Sequence, residues 1–404
     1  MSKIDELLKN EKVEWRKLGE VSIISKGKQF NKRDMLEDGE YPVINGGISV
    51  SGYIDMFNSE ENTITVSQGG ASAGFVNFIE QKFWLGAHAF SVIPDDDIIK
   101  NYEYEYDCFN RLLFHTLKMN QIYLQDSKVG AGIPSVSKNE LSNIEIPLTS
   151  KKTQEKIVKT LDKFTNYVTE LQAELQARIK QYEYYRNLLL SEEYLNKLSE
   201  NPETLGGYRV KLTTLGEIGE IQMCKRVLKN QTSSKGDIPF YKIGTFGKIA
   251  DSFISQELFN EYKKKYSYPK KGEILISASG TIGRTVIFDG EDAYFQDSNI
   301  VWVSHNEEIV INKYLYYLYQ VINWNPSTGG TINRLYNYNL KNIKVILPPI
   351  EIQNKVVQIL DKFQSLLSDT KGLLPQEIEQ RQKQYEYYRE KLLTFDIEGE
   401  TISR

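Results

Sequence analysis

The heptapeptide KQYEYYR occurs twice in this chain, at Lys180–Arg186 and at Lys383–Arg389, and the two copies lie 203 residues apart (383 − 180). Seven identical residues rarely recur by chance, so the repeat indicates an internal duplication. Upstream of it, Gln154–Phe164 matches Gln353–Phe363 at an offset of 199. A period near 200 residues is too long for a solenoid and predicts a pseudo-two-fold pair of domains.

The duplication reaches the opening parts of both copies. KLGEV at Lys17–Val21 matches TLGEI at Thr214–Ile218 at an offset of 197, and GEYPVI at 39–44 matches GDIPFY at 236–241 at the same offset. The middles, Val66–Val76 and Ile276–Val286, share only a glycine-rich character. Each copy is therefore a variable body followed by a well-matched tail.

The tails have the apolar spacing of a coiled coil, alternating by four and three residues. The first seam is predicted at Ile157, Leu161, Phe164, Val168, Leu171, Leu175, Arg178, Tyr182, Tyr185 and Leu189. The second is predicted at Val356, Leu360, Phe363, Leu367, Thr370, Leu374, Ile378, Arg381, Tyr385, Tyr388 and Leu392, with one extra step of four near Pro375. We expect the two helices to pair, and the second to be bent or locally broken at Pro375. A helix buried in a globular core is the alternative.

The bodies combine short β-rich runs with helical stretches, which predicts an α+β fold. The predicted strands are NTITVS (62–67), HAFSVI (88–93), GEILISA (272–278) and NIVWVS (299–304), and the helical stretches are CFNRLLFHTLKM and NKYLYYLYQVI. The expected organisation is a first body at 1–149, a first helix at 150–198, a linker at 199–209, a second body at 210–349, a second helix at 350–395 and a tail at 396–404.

Composition predicts a soluble protein of a reducing, cytoplasmic setting. No apolar run approaches the roughly 20 residues that span a bilayer, the first residues lack a signal peptide's apolar core, and two cysteines argue against a disulfide scaffold. The net charge of −4 is uninformative, but residues 12–33 carry a local +5 and residues 209–271 a local +7. Such clusters are ordinarily solvated faces, and they are also the footprint of a phosphate-binding surface.

Sequence signatures of catalysis are missing. The three histidines, His88, His115 and His305, are scattered, and there is no phosphate-binding loop, nucleophile elbow, dinucleotide-type glycine loop or methyltransferase [DN]-P-P-[YF] tetrapeptide. The sequence therefore predicts no bound metal or cofactor and a non-catalytic chain.

Taken together, these features resemble the specificity (S) subunit of Type I restriction–modification systems. The resemblance is carried by EWRKLGEV (Glu14–Val21), VKLTTLGEI (Val210–Ile218), SGTIGR (Ser279–Arg284) and TELQAELQARIKQYEYYRNLLL (Thr169–Leu190), and it covers essentially the whole chain. It implies two target recognition domains, each of which reads one half of a split DNA site. It also implies that the two helices form an antiparallel coiled coil that sets the spacer.

The resemblance also implies partners. These are double-stranded DNA, two modification (methyltransferase) subunits docked on the helices, and restriction (endonuclease) subunits. S-adenosylmethionine and ATP would be held by the partner subunits.

Candidate DNA contacts follow from residue type, since Lys and Arg bind phosphates, glycine-rich loops allow close approach, and polar side chains read base edges. In the first body they are Lys26, Lys28, Lys32, Arg33, Asn45, Gly46, Gln68, Ser72 and His88. In the second they are Lys225, Arg226, Lys229, Lys242, Lys263, Lys264, Ser279, Thr281, Arg284, Gln296, Asp297, Asn299 and Arg334. Tyr184 and Tyr387, off the seams, are predicted to dock a partner.

Two other functions are compatible with the sequence. A coiled-coil scaffold or adaptor would use the bodies to bind proteins rather than DNA, and the acidic net charge favours it slightly. A self-sufficient methyltransferase–nuclease fused to a reader would need cofactor motifs that the sequence lacks.

Overall fold

The computed structural model describes residues 3–9, 11–126, 135–200, 210–325 and 334–395. The chain forms two compact units, Met1–Ala173 with Leu373–Arg404, and Glu174–Gly372. Most of the predicted linker, residues 201–209, and the predicted tail, 396–404, lie outside the described residues.

The body in the first unit contains three small sheets with strand orders β2-β8-β5-β6, β4-β3-β7 and β1-β9, and every pairing except β3 with β7 is antiparallel. Its strands are β1 (Glu14–Lys17), β2 (Ser22–Lys26), β3 (Tyr41–Ile44), β4 (Tyr53–Ile54), β5 (Thr63–Ser67), β6 (Val76–Ile79), β7 (Trp84–Leu85), β8 (Ala89–Pro94) and β9 (Glu145–Leu148). Its helices are α1 (Lys3–Leu8), α2 (Leu18–Val21), α3 (Asp96–Asn101), α4 (Tyr106–Met119), α5 (Gln121–Asp126) and α6 (Lys138–Ser142), and the long helix α7 (Lys151–Leu189) follows.

The body in the second unit repeats these sheets, as β11-β17-β14-β15, β13-β12-β16 and β10-β18. Its strands are β10 (Lys211–Thr214), β11 (Gly219–Gln222), β12 (Ile238–Tyr241), β13 (Phe253–Ile254), β14 (Ile274–Ser277), β15 (Thr285–Ile287), β16 (Tyr294–Phe295), β17 (Ile300–His305) and β18 (Lys344–Leu347). Its helices are α8 (Glu192–Glu200), α9 (Leu215–Ile218), α10 (Gln256–Lys265), α11 (Asn312–Leu318), α12 (Asn337–Lys341) and the long α13 (Ile350–Thr394). The four predicted strands are confirmed as β5, β8, β14 and β17.

The long helices pack against each other within each unit. In the first unit Phe164 of α7 stacks on Tyr388 of α13, with ring centroids 5.2 Å apart. In the second unit Tyr185, late in α7, stacks on Phe363, early in α13, at 5.4 Å. An early position of one helix meets a late position of the other, so the helices are antiparallel, and the predicted α+β fold with an antiparallel coiled coil is confirmed. No helix in the described part of the chain has an apolar stretch long enough to cross a membrane.

Three details of the predicted helices are wrong. Arg178 is exposed and pairs with Glu174, while Ile179 is partly buried, because the α7 seam takes a step of four after Leu175. The first helix ends at Leu189 rather than at residue 198. Just after this end, the Ser191 hydroxyl accepts a hydrogen bond from the Tyr194 N–H and caps the start of α8.

The third wrong detail is the predicted local break at Pro375. Helix α13 continues without a break from Ile350 to Thr394. Leu374 and Ile378 are partly buried on either side of the exposed Pro375. The helix therefore continues through Pro375 although proline removes one backbone donor.

A carboxylate near the start of each long helix fastens that helix to its body. Asp162 of α7 accepts hydrogen bonds from Arg111 and from the fully buried His115, whose other ring nitrogen lies 2.9 Å from the hydroxyl of Tyr385 on α13. Burial lowers the pKa of His115 to about 4. Burial alone would raise the pKa of Asp162, but the bonds from His115 and Arg111 outweigh it and lower that pKa.

The second unit builds the same connection with other residues. Asp361 of α13, at the position matching Asp162, accepts a hydrogen bond from the Tyr317 hydroxyl at 2.6 Å and forms an ion pair with Lys313. Tyr317 and Lys313 occupy the places of His115 and Arg111, at a common offset of 202.

Each body also contains a glycine turn between two paired strands, at 67–75 and at 277–284. In the first, the Ser67 N–H donates to the Phe75 carbonyl and the Gly74 N–H donates back to Ser67. In the second, the Ser277 N–H donates to the Arg284 carbonyl and the Gly283 N–H donates back to the Ser277 carbonyl. The divergent middles therefore share one backbone construction.

Leu366 and Leu367 are adjacent on α13, and only Leu367 faces the seam, with 8% of its surface exposed against 64% for Leu366. We predict that Leu367→Ala lowers the free energy of unfolding by about 2–4 kcal/mol, because it leaves a cavity. Leu366→Ala should change it by less than about 0.5 kcal/mol. Urea unfolding measures both values, and equal costs would contradict the packing.

The buried His115 predicts a pH dependence of stability. Between pH 6.5 and pH 4 the unfolded chain binds a proton on this histidine that the folded chain excludes, so stability falls as pH falls through that window. His115→Gln cannot titrate, and its stability deficit against the wild type should narrow by up to about 3 kcal/mol between pH 7 and pH 4. A deficit that stays constant in urea unfolding across this range would refute the prediction.

Two glycines of the second turn form a matched pair for substitution. Gly280 and Gly283 have φ of +66° and +79°, but a methyl group at Gly283 would overlap Trp324 Nε1, whereas at Gly280 the nearest atom is 3.8 Å away. We predict that Gly280→Ala costs about 1 kcal/mol of backbone strain and that Gly283→Ala costs about 1–3 kcal/mol more. Melting temperatures that coincide for the two variants would show that Trp324 does not confine the turn.

Candidate nucleic-acid interface

Four segments meet at one end of the sheets in the first body and form what we call the first glycine face: residues 26–28, 45–47, 67–72 and 86–88. The Gln68 N–H donates to the His88 carbonyl at 2.8 Å, and Asn45 Oδ1 accepts from the His88 N–H at 3.0 Å. Gly46 lies against the first glycine turn, and a methyl group on it would be only 2.9 Å from the Gly69 carbonyl oxygen. The structure thus brings together the predicted residues Asn45, Gly46, Gln68 and His88.

The second body has an equivalent surface, the second glycine face: residues 223–226, 242–243, 277–284 and 296–299. The Ala278 N–H donates to the Asn299 carbonyl, as Gln68 does to His88. The Ile243 N–H donates to the side chain of Gln296 at 2.9 Å. In the first face the side chain after β3 (Asn45) accepts from the His88 backbone, whereas in the second face the backbone after β12 donates to the Gln296 side chain.

Several side chains predicted to read bases bind one another in this second face. Asn299 Oδ1 accepts from the Ser279 hydroxyl at 2.7 Å and from Arg334 Nη2 at 2.8 Å. Arg284 Nη1 donates to the Phe246 carbonyl at 2.9 Å, which leaves its other donors for a ligand. The sequence could not show this internal bonding, because the partners come from separate loops.

The predicted cations differ in their pairing. Arg226 is paired with Asp297, Lys242 with Asp251 and Lys263 with Asp292, at 2.8–3.0 Å. The other predicted lysines and Arg33 are exposed and have no ion-pair partner among the described residues: Lys26, Lys28, Lys32, Arg33, Lys225, Lys229 and Lys264. These exposed lysines and Arg33 are better placed for phosphates than the paired residues, since their charge is not neutralised inside the protein.

Two pairs of these lysines occupy matched positions in the repeat. Lys28 matches Lys225 and Lys32 matches Lys229, both at the offset of 197. Lys32 and Lys229 each begin a 3-10 turn after the first strand of the larger sheet. Lys225 lies over the ring of Tyr266, with its ammonium 5.1 Å from the centroid. Applying the offset to every residue would have identified these pairs from the sequence.

The remaining predicted residues are exposed or partly exposed. Ser72 and Thr281 lie in the two glycine turns, and Ser72 is partly buried. Tyr184 and Tyr387 are mostly exposed at matched positions on the long helices, edge-on to Tyr185 and Tyr388. Both are available to a partner.

Two exposed aliphatic side chains that residue type does not single out lie beside the glycine faces, Ile48 in the first body and Ile249 in the second. No sequence signal identifies them, because an isolated isoleucine is normally read as core.

The cysteines have the chemistry of core residues. Burial raises the pKa of Cys108 to about 11 and that of Cys224 to about 12, so both thiols are protonated at neutral pH. Within the described ranges, no three His, Cys, Asp or Glu side chains lie where they could hold a metal ion.

Comparison with known proteins agrees with this architecture. The family model of the Type I restriction modification DNA specificity domain matches residues 10–181 and again residues 209–380. A Haemophilus influenzae protein provisionally assigned as a type I restriction enzyme specificity subunit is 44% identical over 97% of this chain and 98% of its own length. The EcoR124I/EcoR124II specificity subunit of Escherichia coli is 27% identical over 100% of this chain and 99% of its own length.

Solved structures have the same fold. The S subunit of a Type I restriction–modification system from M. genitalium superposes with a TM-score of 0.53 at 21% identity, over 95% of this chain and 96% of that one. A chain from a study of complex assembly and conformational transition in the type I system superposes with a TM-score of 0.54 at 17% identity, over 94% and 97%. The two family matches and the 44% identical relative show that this chain belongs to the Type I restriction modification DNA specificity family.

Proposed function

We propose that this chain is the DNA specificity subunit of a Type I restriction–modification complex, and that each body reads one half of a bipartite site. The observation that carries the proposal is the pair of glycine faces. They share backbone hydrogen bonds and matched lysines, but they present different side chains. A shared frame would meet the phosphates of any duplex, and the differing side chains would select two different half-sites.

The finer parts of the proposal concern partners. Two modification subunits would dock on the long helices, with Tyr184 and Tyr387 as matched contacts, and restriction subunits would complete the complex. S-adenosylmethionine and ATP would bind those partners, so this chain would recognise DNA in the cytoplasm without catalysing a step. Helix length would then set the spacer between the half-sites. No specific observation favours the alternative of a protein-binding adaptor.

Methylome sequencing of cells with and without this gene tests the function. A split adenine-methylated motif should appear only with the gene and the modification subunit together. A methylome that is unchanged by the gene in the presence of a working modification subunit would overturn the proposal.

The matched lysines predict a change in salt dependence. Lys28→Ala and Lys225→Ala should each weaken DNA binding by the assembled complex and reduce the steepness of log affinity against log salt by about one. The reason is that each lysine, when it contacts a phosphate, displaces about one counterion from the DNA, and the alanine variant does not. Lys197→Ala is the control, since this lysine lies on α8 and pairs with Glu193. Salt titrations of binding in which the two variants keep the wild-type slope would remove these lysines from the phosphate contacts.

A further inference from the structure

The connection between β12 and β13 carries the most exposed large apolar side chain in the described part of the chain. Ile249 has 91% of its surface exposed. The matching β3–β4 connection carries Ile48, which is 62% exposed. Single exposed apolar residues are common on proteins, but here the same connection in both bodies places one beside its glycine face.

The chain holds the Ile249 turn in a fixed shape. The Thr245 N–H donates to the Lys242 carbonyl, the Lys248 N–H donates to the Thr245 carbonyl, and the Thr245 hydroxyl accepts from the Lys242 N–H at 3.1 Å. Phe246 is almost fully buried and anchors the turn in the core. The turn therefore presents Ile249 to solvent at little further entropic cost.

Contacts between loops place this turn against the second glycine face. Arg284, in the glycine turn, donates to the Phe246 carbonyl, and a methyl group on Gly247 would lie 3.3 Å from the Val286 side chain. In the first body a methyl group on Gly46, two residues before Ile48, would lie 2.9 Å from the Gly69 carbonyl oxygen of the first glycine turn. Both isoleucines therefore border surfaces that offer polar donors for base edges.

The charge around Ile249 is suited to nucleic acid. Lys248 precedes it, is exposed and has no ion-pair partner among the described residues. The nearby Lys242 is paired with Asp251, so Lys248 is the free cation beside Ile249. An aliphatic tip next to a free lysine and base-edge donors fits a surface that is anionic but carries apolar groups. On the edges of DNA bases in the major groove, the apolar group is the C5-methyl of thymine.

We propose that Ile249 and Ile48 read thymine C5-methyl groups, one in each half-site, and so act as specificity residues. This inference rests on the proposed function. The polar residues on the glycine faces would select hydrogen-bonding edges, and the isoleucines would distinguish thymine from bases that lack the methyl group.

The test uses the full chain assembled with its modification subunits, and duplexes in which the thymines of each half-site are replaced by uracil one at a time. Uracil keeps the hydrogen-bonding edge of thymine and lacks only the methyl group. At one thymine in one half-site, the wild type should lose about three- to tenfold in affinity. Ile249→Ala should bind the thymine duplex as weakly as the wild type binds the uracil duplex, and should no longer distinguish the two.

The other isoleucines supply the second half-site and the control. Ile48→Ala should abolish the discrimination at a thymine in the other half-site only. Ile309→Ala removes a side chain that is 60% exposed in the second body, in the connection between β17 and α11, and should leave every uracil effect unchanged. Because all three residues are exposed, melting temperatures should match the wild type.

Three results would overturn the inference. The first is a wild type that is indifferent to uracil at every position, and the second is an Ile249→Ala variant that still discriminates fully. The third is an equal loss on thymine and uracil duplexes, which would indicate that Ile249 inserts between bases or contacts a protein subunit. A complex with no sequence-specific binding would overturn the proposed function itself, and this inference with it.

Discussion

The connection of each body to its long helix depends on one carboxylate, Asp162 in the first unit and Asp361 in the second. Asp162 accepts hydrogen bonds from α4 and Asp361 accepts them from α11. Each of these helices packs against a strand that flanks the glycine turn of its body. The position of the turn relative to the long helix is therefore set by a short chain of contacts, which is largely buried in the first unit and more exposed in the second. In the first unit, Tyr385 extends this chain to the other long helix through His115. The proposed function would need this attachment, because a loosely attached reader could not measure a fixed spacer.

The two bodies show which features of a DNA reader are constrained and which are free. The backbone bonds of the glycine turns and the lysines at the 197 offset are the same in both. The side chains in the turns differ, and so do the residues that bind the carboxylates. α10 in the second body has no counterpart in the first, where only eight residues separate β4 from β5. Under the proposed function, a duplication that kept the phosphate contacts and varied the base contacts would yield two specificities on one scaffold.

The sequence predicted the features that depend on periodicity. The duplication, the helix pair and four strands follow from spacings that one residue cannot disturb. The errors lie where the outcome depends on the conformation or the contacts of a single residue. The spacing predicts Arg178 in the seam, because spacing alone does not show that the step of four ends at Ile179. In the second glycine face, Asn299 and Arg334 bind each other across loops, which no local pattern reveals. The sequence does not single out Ile249, because its exposure depends on a turn conformation.

The most direct test of the account alters the two helices together. Deleting Gln172–Leu175 and Leu373–Gln376 removes the extra step of four from each seam and keeps the remaining apolar positions in phase. Four residues correspond to about 6 Å of helix, close to two base-pair steps. The methylome of cells that express this variant should contain the same two half-sites with a spacer about two base pairs shorter. An active variant that methylates the original motif, with the original spacer, would contradict the claim that the helices set the separation of the readers.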